Sequence, residues 1–123
     1  MSRRMRLRAG CCIGIACFAL AAVSGTAAGQ AAHQSRTCSP PEYPGSGYFT
    51  SLSVRGVGCK KGRSVTMAHY RCRTESGPSG RCHRRVLGYG CRETRHTIPS
   101  EIDARVTCRR GGLRVIYTYQ QNR

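Results

Sequence analysis

The chain has 123 residues, of which 21 are Lys or Arg and five are Asp or Glu, so its formal net charge is +16 at pH 7. This length suits one small domain and excludes a doubly wound nucleotide-binding enzyme, a barrel enzyme and a multi-span membrane protein. The excess of positive charge favours an acidic partner, either an anionic polymer or an acidic protein.

The first 28 residues have the three parts of a secretory signal peptide. Residues 1–8 hold four Arg and no acid, residues 11–23 are strongly apolar, and small residues follow them. Cleavage is expected after Ala28, because Thr26-Ala27-Ala28 fits the small-residue rule. An uncleaved membrane anchor is the alternative, although a span needs about 20 predominantly apolar residues and this run is shorter. We therefore expect a secreted or cell-wall-associated protein, with membrane contact only if the segment stays uncleaved.

Two regions are expected after the signal peptide. Residues 29–47 are rich in Pro, Gly and Ser and predict a flexible arm, tethered through Cys38. Residues 48–123 predict a single small disulfide-rich domain. Its first element is a strand over residues 48–57, in which apolar and polar side chains alternate.

A helix is predicted over residues 59–72, because Val65, Ala68, His69 and Cys72 fall on one of its faces. Residues 73–80 predict a loop by composition. A short strand is expected around residues 86–91, and residues 92–100 are predicted to form a further loop.

The C-terminal hairpin is the most regular pattern in the chain. Apolar residues alternate with polar ones over 102–109 and again over 113–119. Gly111-Gly112 between them supplies the positive φ angles that a tight hairpin turn needs. The order strand, helix, strand, strand, strand predicts an α+β fold with one helix packed on a small, mostly antiparallel sheet.

Six cysteines remain after the signal peptide, and an even number in an exported chain predicts disulfide bonds. Leu, Ile and Val are few, so three disulfides of about 2–4 kcal/mol each would decide whether the domain folds. A zinc site is the alternative, but no C-x-x-C pair is present and we expect neither metal nor cofactor. The expected disulfide cysteines are Cys38, Cys59, Cys72, Cys82, Cys91 and Cys108.

Six cysteines permit fifteen pairings, of which the sequence favours one in part. Cys72 and Cys82 flank a Gly/Pro/Ser loop that can double back, so they are predicted to pair. Among the other four, the preferred arrangement joins Cys59 to Cys91 and Cys38 to Cys108, with the alternatives open.

Several Cys and Gly patterns resemble a group of small secreted actinobacterial proteins. They are V-R-G-V-G-C over residues 54–59, G-Y-G-C over 88–91, and V-T-C-R-R-G over 106–111 before an aromatic C-terminal strand. The resemblance covers roughly residues 48–119. It implies no catalytic motif, since proteins of that group are largely uncharacterised. The chain departs from the simpler members of the group by its extra cysteines at positions 38, 72 and 82.

The hairpin also predicts a cationic surface. Arg105, Arg109 and Arg114 fall opposite its apolar stripe, and Arg110 lies at its tip. Because Arg binds phosphate and carboxylate groups bidentately, these four residues predict a site for anionic extracellular or cell-envelope polymer. The alternative is that the charge serves solubility. The sequence contains no motif for sequence-specific recognition of nucleic acid.

Other functions remain open beside this non-catalytic one. A small secreted ribonuclease would need an acid–base pair flanked by Arg, and the closest candidates are Glu93 and His96 with Arg92 and Arg95. A cationic toxin would need an amphipathic helix with a broad apolar face. An inhibitor would present a rigid loop, for which residues 73–81 are the candidate.

Overall fold

A computed structural model describes residues 34–123, which fold as one helix packed on a five-stranded antiparallel sheet. The predicted signal peptide, residues 1–28, lies outside the described residues. The strands lie side by side in the order β1-β2-β5-β4-β3, so the predicted α+β class is confirmed. The elements are β1 (Ser35–Cys38), β2 (Gly47–Arg55), α1 (Cys59–Thr74), β3 (Gly90–Ile98), β4 (Glu101–Arg110) and β5 (Leu113–Asn122).

The hairpin of β4 and β5 forms the middle of the sheet, as its alternation predicts. The two strands pair along their whole length, from Glu101 opposite Asn122 to Arg110 opposite Leu113. Gly111 has φ 56°, which suits a tight turn between them. The inner side chains of the hairpin face α1 and form about half of the core; they are Ile102, Ala104, Val106, Cys108, Val115, Tyr117 and Tyr119.

Helix α1 extends two residues beyond its prediction and lies unusually close to the sheet. A methyl group on Gly62 would lie 2.5 Å from Cγ1 of Val54 on β2. The glycine weakens an isolated helix, but a larger residue here would push the helix away from the sheet. Val65 and His69 follow on the same face and are buried, in agreement with the predicted helical face.

Strand β3 corrects the prediction of a loop over residues 92–100. It pairs with β4 throughout, from Gly90 opposite Arg109 to Ile98 opposite Glu101, and the chain turns at Pro99 and Ser100. The strand was missed because Glu93 and Arg95 occupy inward positions where an alternating pattern predicts apolar residues.

The predicted short strand around residues 86–91 also differs in the structure. Val86 and Tyr89 face each other across a tight turn of Leu87 and Gly88, closed by backbone hydrogen bonds of 3.0 and 2.8 Å. Strand β3 then begins at Gly90. Within the segment predicted as an arm, residues 35–38 form β1 and pair antiparallel with β2.

All six cysteines within residues 34–123 are in disulfides, and the predicted bond between Cys72 and Cys82 is confirmed. The preferred pairing of the other four is wrong, because Cys38 bonds to Cys59 and Cys91 bonds to Cys108. Cys91 and Cys108 lie directly opposite each other on β3 and β4, with Cα atoms 4.0 Å apart.

Three disulfides indicate an oxidising environment. Within residues 34–123, no helix is sufficiently long and apolar to span a bilayer.

Candidate anion-binding face

The face of the sheet turned away from α1 carries arginines from four strands. Their positions follow from strand alternation, since each is adjacent in sequence to a residue that points into the core. We call this set the arginine face; it consists of Arg55, Arg92, Arg105, Arg109 and Arg114.

Three of these arginines form one row across three adjacent strands. Arg55 on β2 lies opposite Arg114 on β5, and Arg114 lies opposite Arg109 on β4. Directly opposite residues have Cβ atoms about 4.5–5.5 Å apart, and like charges in such positions destabilise a sheet. The row therefore concentrates positive charge at a cost to the folded state.

Arg92 and Arg105 extend the arginine face beyond this row. Arg92 is exposed on β3 opposite Thr107, and Arg105 is exposed on β4 opposite Thr94 and Thr118. Their strand neighbours are hydroxyl side chains, which add hydrogen-bond donors without adding negative charge.

The arginine face has no ion-pair partner among residues 34–123. The two salt bridges there join Arg84 to Glu75 and Arg95 to Glu93, away from this face. Two acids do lie on the same side of the sheet, Glu101 and Asp103, but at the opposite end of β4 from Arg109. Glu101 accepts a hydrogen bond of 2.8 Å from Nε2 of Gln120. The outer surface of the sheet thus has a positive end and an acidic end.

The structure brings together three of the four arginines predicted from the sequence. Arg105, Arg109 and Arg114 share the outer surface, whereas Arg110 is at an inward register position opposite Leu113. The Arg110 side chain lies beside Gly88, where an added Cβ would be 3.3 Å from its Nε. Arg110 therefore belongs to the other side of the hairpin.

Sequence reasoning missed Arg55 and Arg92 as members of this face. Arg55 ends a strand whose partner, β5, begins almost sixty residues later, so their register is not visible in the sequence. Arg92 fell in the segment predicted as a loop. A signal for β3 was present, since Cys91 and Cys108 are equidistant from a turn at Pro99-Ser100.

The candidate acid–base pair of a ribonuclease is not assembled. Glu93 and His96 are three residues apart on β3, an odd spacing that places them on opposite faces of the strand. Glu93 faces inward and pairs with Arg95, with Nε and Oε1 2.7 Å apart and both side chains 6% exposed. The hydroxyl of Tyr119 also donates to Glu93. His96 is exposed on the outer surface.

Glu93 belongs to a buried polar cluster between α1 and the sheet. Burial alone would raise the pKa of Glu93, but hydrogen bonds from Arg95 and Tyr119 and the charge of Arg95 hold it below its usual value. Burial also raises the pKa of Tyr119, as does its hydrogen bond to Glu93. The carboxylate therefore stays ionised beneath the sheet surface, where it is inaccessible to a substrate.

Arg73, at the end of α1, is the largest side chain in this cluster and is 0% exposed. Its NH2 group donates to Oε1 of Gln121 at 2.8 Å and to the Tyr43 hydroxyl, while NH1 donates to the carbonyl of Pro78 at 3.1 Å. Its guanidinium carbon lies 4.2 Å from the centre of the Tyr119 ring. Arg73 thus ties the loop after α1 to the sheet.

The same loop is held by Arg95. NH1 of Arg95 donates to the carbonyl of Ser79 at 2.8 Å, and NH2 donates to the carbonyl of Gly80. Together with the bond between Cys72 and Cys82, these contacts fix the loop from inside. It folds into turns, with Gly80 N donating to Gly77 O at 2.9 Å.

His69 occupies the apolar side of the cluster. Its Nδ1 shares a hydrogen bond with the hydroxyl of Tyr117, and both residues are buried. Burial, together with the charges of Arg73 and Arg95, lowers the pKa of His69 to about 4 despite the opposing charge of Glu93. Its imidazole is therefore neutral at pH 7. No group of three or more His, Cys, Asp or Glu side chains within residues 34–123 is arranged to hold a metal ion.

Comparisons of the chain with protein-family models, with curated proteins and with solved structures give no match. The arginine face has a row of like charges on directly opposite residues and no acid at that end. It is therefore the feature from which a function can be inferred.

Proposed function

We propose that this is an exported, non-catalytic protein that binds anionic polymer outside the cell through the arginine face. The observation that carries the proposal is the row of Arg55, Arg114 and Arg109. Three like charges on directly opposite residues lower the stability of the sheet unless an anion neutralises them.

The contrast with the buried arginines supports this use. Arg73 and Arg95 donate to carbonyl and side-chain oxygens inside the protein. The guanidinium groups of Arg55, Arg109 and Arg114 have no acid beside them, so their donors are available to phosphate or carboxylate groups from outside. A protein that needed charge only for solubility would spread it rather than align it.

The location is consistent with such a ligand. The signal-peptide pattern of residues 1–28 predicts export, and three disulfides suit an oxidising compartment. Polyanions available there include wall teichoic or teichuronic polymers and extracellular DNA. The binding would be electrostatic and independent of nucleotide sequence.

The test is retention on immobilised teichoic acid and on heparin across a salt series. The retention of the unaltered protein should weaken steadily as the salt concentration rises, because binding releases condensed counterions. A variant with Arg55, Arg105, Arg109 and Arg114 changed to Gln should lose this retention.

A matched control variant removes the same number of positive charges from outside the arginine face. Arg36, Arg63, Arg71 and Arg81 lie off the arginine face, and changing them to Gln should leave most of the retention in place. Equal losses in the two variants would show that net charge alone is responsible. Absence of salt-sensitive retention in the unaltered protein would overturn the proposal.

A further inference from the structure

Two depressions flank Arg109 on the arginine face. One has a volume of about 400 Å³ and lies between the loop after β2 and the turn between β4 and β5. The other has a volume of about 610 Å³ and lies over the paired strands β3 and β4. Arg109 lines both of them, so it stands between two neighbouring concave surfaces.

The first depression is lined by three arginines and three glycines. Arg55, Arg109 and Arg114 surround it, and Gly56, Gly111 and Gly112 line it with Leu113. An added side-chain carbon at Gly111 or Gly112 would meet no atom within 4 Å, so the glycines leave open space beside the arginines. A ligand can therefore approach the backbone there.

The second depression repeats this chemistry with fewer charges. Arg92 and Arg109 line it, together with the hydroxyl-bearing Thr107 and the backbone at Gly90 and Cys91. No acid lines either depression. Both surfaces therefore offer hydrogen-bond donors and positive charge to the same class of ligand.

The three arginines that line the first depression favour phosphate over carboxylate. A carboxylate presents one planar edge, which one Arg fork occupies bidentately. A tetrahedral phosphate presents oxygens in several directions, which suits three guanidinium groups that arrive from three strands.

We propose that the two depressions are adjacent subsites for successive phosphate groups of one phosphodiester chain, with Arg109 shared between them. This inference rests on the proposed function and names the class of polymer. Neighbouring strands lie about 4.8 Å apart, so subsites on either side of β4 are roughly 5–10 Å apart. A flexible phosphodiester chain can place consecutive phosphates at that separation.

The first experiment compares poly(glycerol phosphate) with polyglutamate of equal charge at equal ionic strength. We expect the phosphodiester polymer to bind the unaltered protein about tenfold more tightly, because it can use both subsites. Arg109→Gln should weaken the binding of poly(glycerol phosphate) by about tenfold, because both subsites lose a guanidinium group, while the slope of the salt series falls by only about 0.7 because one charge is removed. Arg105 lies outside both depressions, so the matched control Arg105→Gln should lower the slope by the same amount or less but should weaken binding by less than Arg109→Gln does.

The second experiment follows backbone amide signals by NMR as inorganic phosphate is added. Shifts are expected at Gly111 and Gly112 for the first subsite and at Gly90 for the second. Arg55→Gln should suppress only the first set, Arg92→Gln only the second, and Arg109→Gln both.

The outcomes separate this inference from the function on which it rests. If polyglutamate binds as tightly as poly(glycerol phosphate) and Arg109→Gln behaves like Arg105→Gln, the paired subsites are refuted while polyanion binding stands. If neither polymer binds, the function itself is refuted. If phosphate shifts the amides on one side of Arg109 only, the shared use of Arg109 is refuted.

Discussion

The two sides of the sheet use arginine in opposite ways. On the inner side, Arg73 and Arg95 are buried, and all their donor nitrogens except Nε of Arg73 are directed to oxygens within the protein. On the outer side, Arg55, Arg109 and Arg114 face one another across three strands without an acid between them. The inner arginines are explained by the fold. The outer ones have no such structural explanation, and this is why a ligand is inferred there.

The largest expected effect is on the inner side. Arg95→Met would leave Glu93 buried without its counter-charge, and removing one partner of a buried ion pair costs about 3–5 kcal/mol. Chemical denaturation would measure the loss. The double variant Arg95→Met with Glu93→Gln should recover part of it, because no unpaired charge remains. Arg105→Met, on the outer side of the sheet, should alter the free energy of unfolding by less than about 0.5 kcal/mol. Equal losses of stability on the two sides would contradict the contrast between structural inner arginines and non-structural outer ones.

The next effect is a dependence of stability on pH that originates in His69. Its pKa is about 4 in the folded protein against 6.5 for an ordinary histidine. Between these values the unfolded chain binds a proton that the folded protein does not, so stability is full above about pH 6.5 and falls by roughly 3 kcal/mol towards pH 4. Thermal unfolding measured from pH 7 to pH 4 would show this slope.

The source of that slope can be tested with two histidine variants. His69→Gln should flatten the dependence between pH 6.5 and pH 4, whatever its effect on absolute stability. His96→Gln removes an exposed imidazole from the outer side and should leave the slope in place. A slope that survives in His69→Gln would contradict the burial of a neutral histidine. From about pH 4.5 downwards a second loss is expected from Glu93, because its pKa is lowered from 4.5 and the stability this contributes is lost as the pH falls through the folded-state pKa.

A smaller effect, this time a gain in stability, is expected at the tight turn that precedes β3. Leu87 has φ 49° and is 51% exposed. A positive φ costs a residue with a side chain about 1–2 kcal/mol, whereas Asn-Gly is the favoured pair in this kind of turn. Leu87→Asn should therefore raise the free energy of unfolding by about 1 kcal/mol, measured by thermal unfolding. Leu87→Ala keeps the unfavourable φ and should give no such gain.

The smallest effect tests the outer row itself. Arg114 lies between Arg55 and Arg109, so Arg114→Gln removes two like-charge neighbours and should stabilise the protein by roughly 0.2–1 kcal/mol at low salt. The gain should vanish near 1 M salt, where the screening length is about 3 Å. The same variant should bind polyanion less tightly. A loss of stability in Arg114→Gln would mean that this arginine has a structural role like that of Arg73.

Much of the fold could be predicted because its signals are local. The hairpin of β4 and β5 follows from alternation on either side of Gly111-Gly112, and α1 follows from its 3.6-residue pattern. The bond between Cys72 and Cys82 spans a short Gly/Pro/Ser loop, so its ends meet without information from the rest of the chain.

The candidate site could be predicted only in part. Alternation within one hairpin placed Arg105, Arg109 and Arg114 on one side, because it depends on neighbours in sequence. Arg110 was added to them because it lies at the hairpin tip, although alternation puts it on the other side of the strand, where it lies against Gly88. Arg73 carried no signal of burial at all, since charged residues are almost never fully buried unless they are paired.

The amino-acid sequence by itself determined the terminal hairpin, the helix, the need for disulfides and the excess of positive charge. The tertiary structure decided which strands lie side by side, and therefore which arginines and cysteines meet. Arg55 meets Arg114 only when β2 pairs with β5, and Cys91 meets Cys108 only when β3 pairs with β4. The physical reason is that strand pairing joins residues distant in sequence, and its register is set by the burial of a common core.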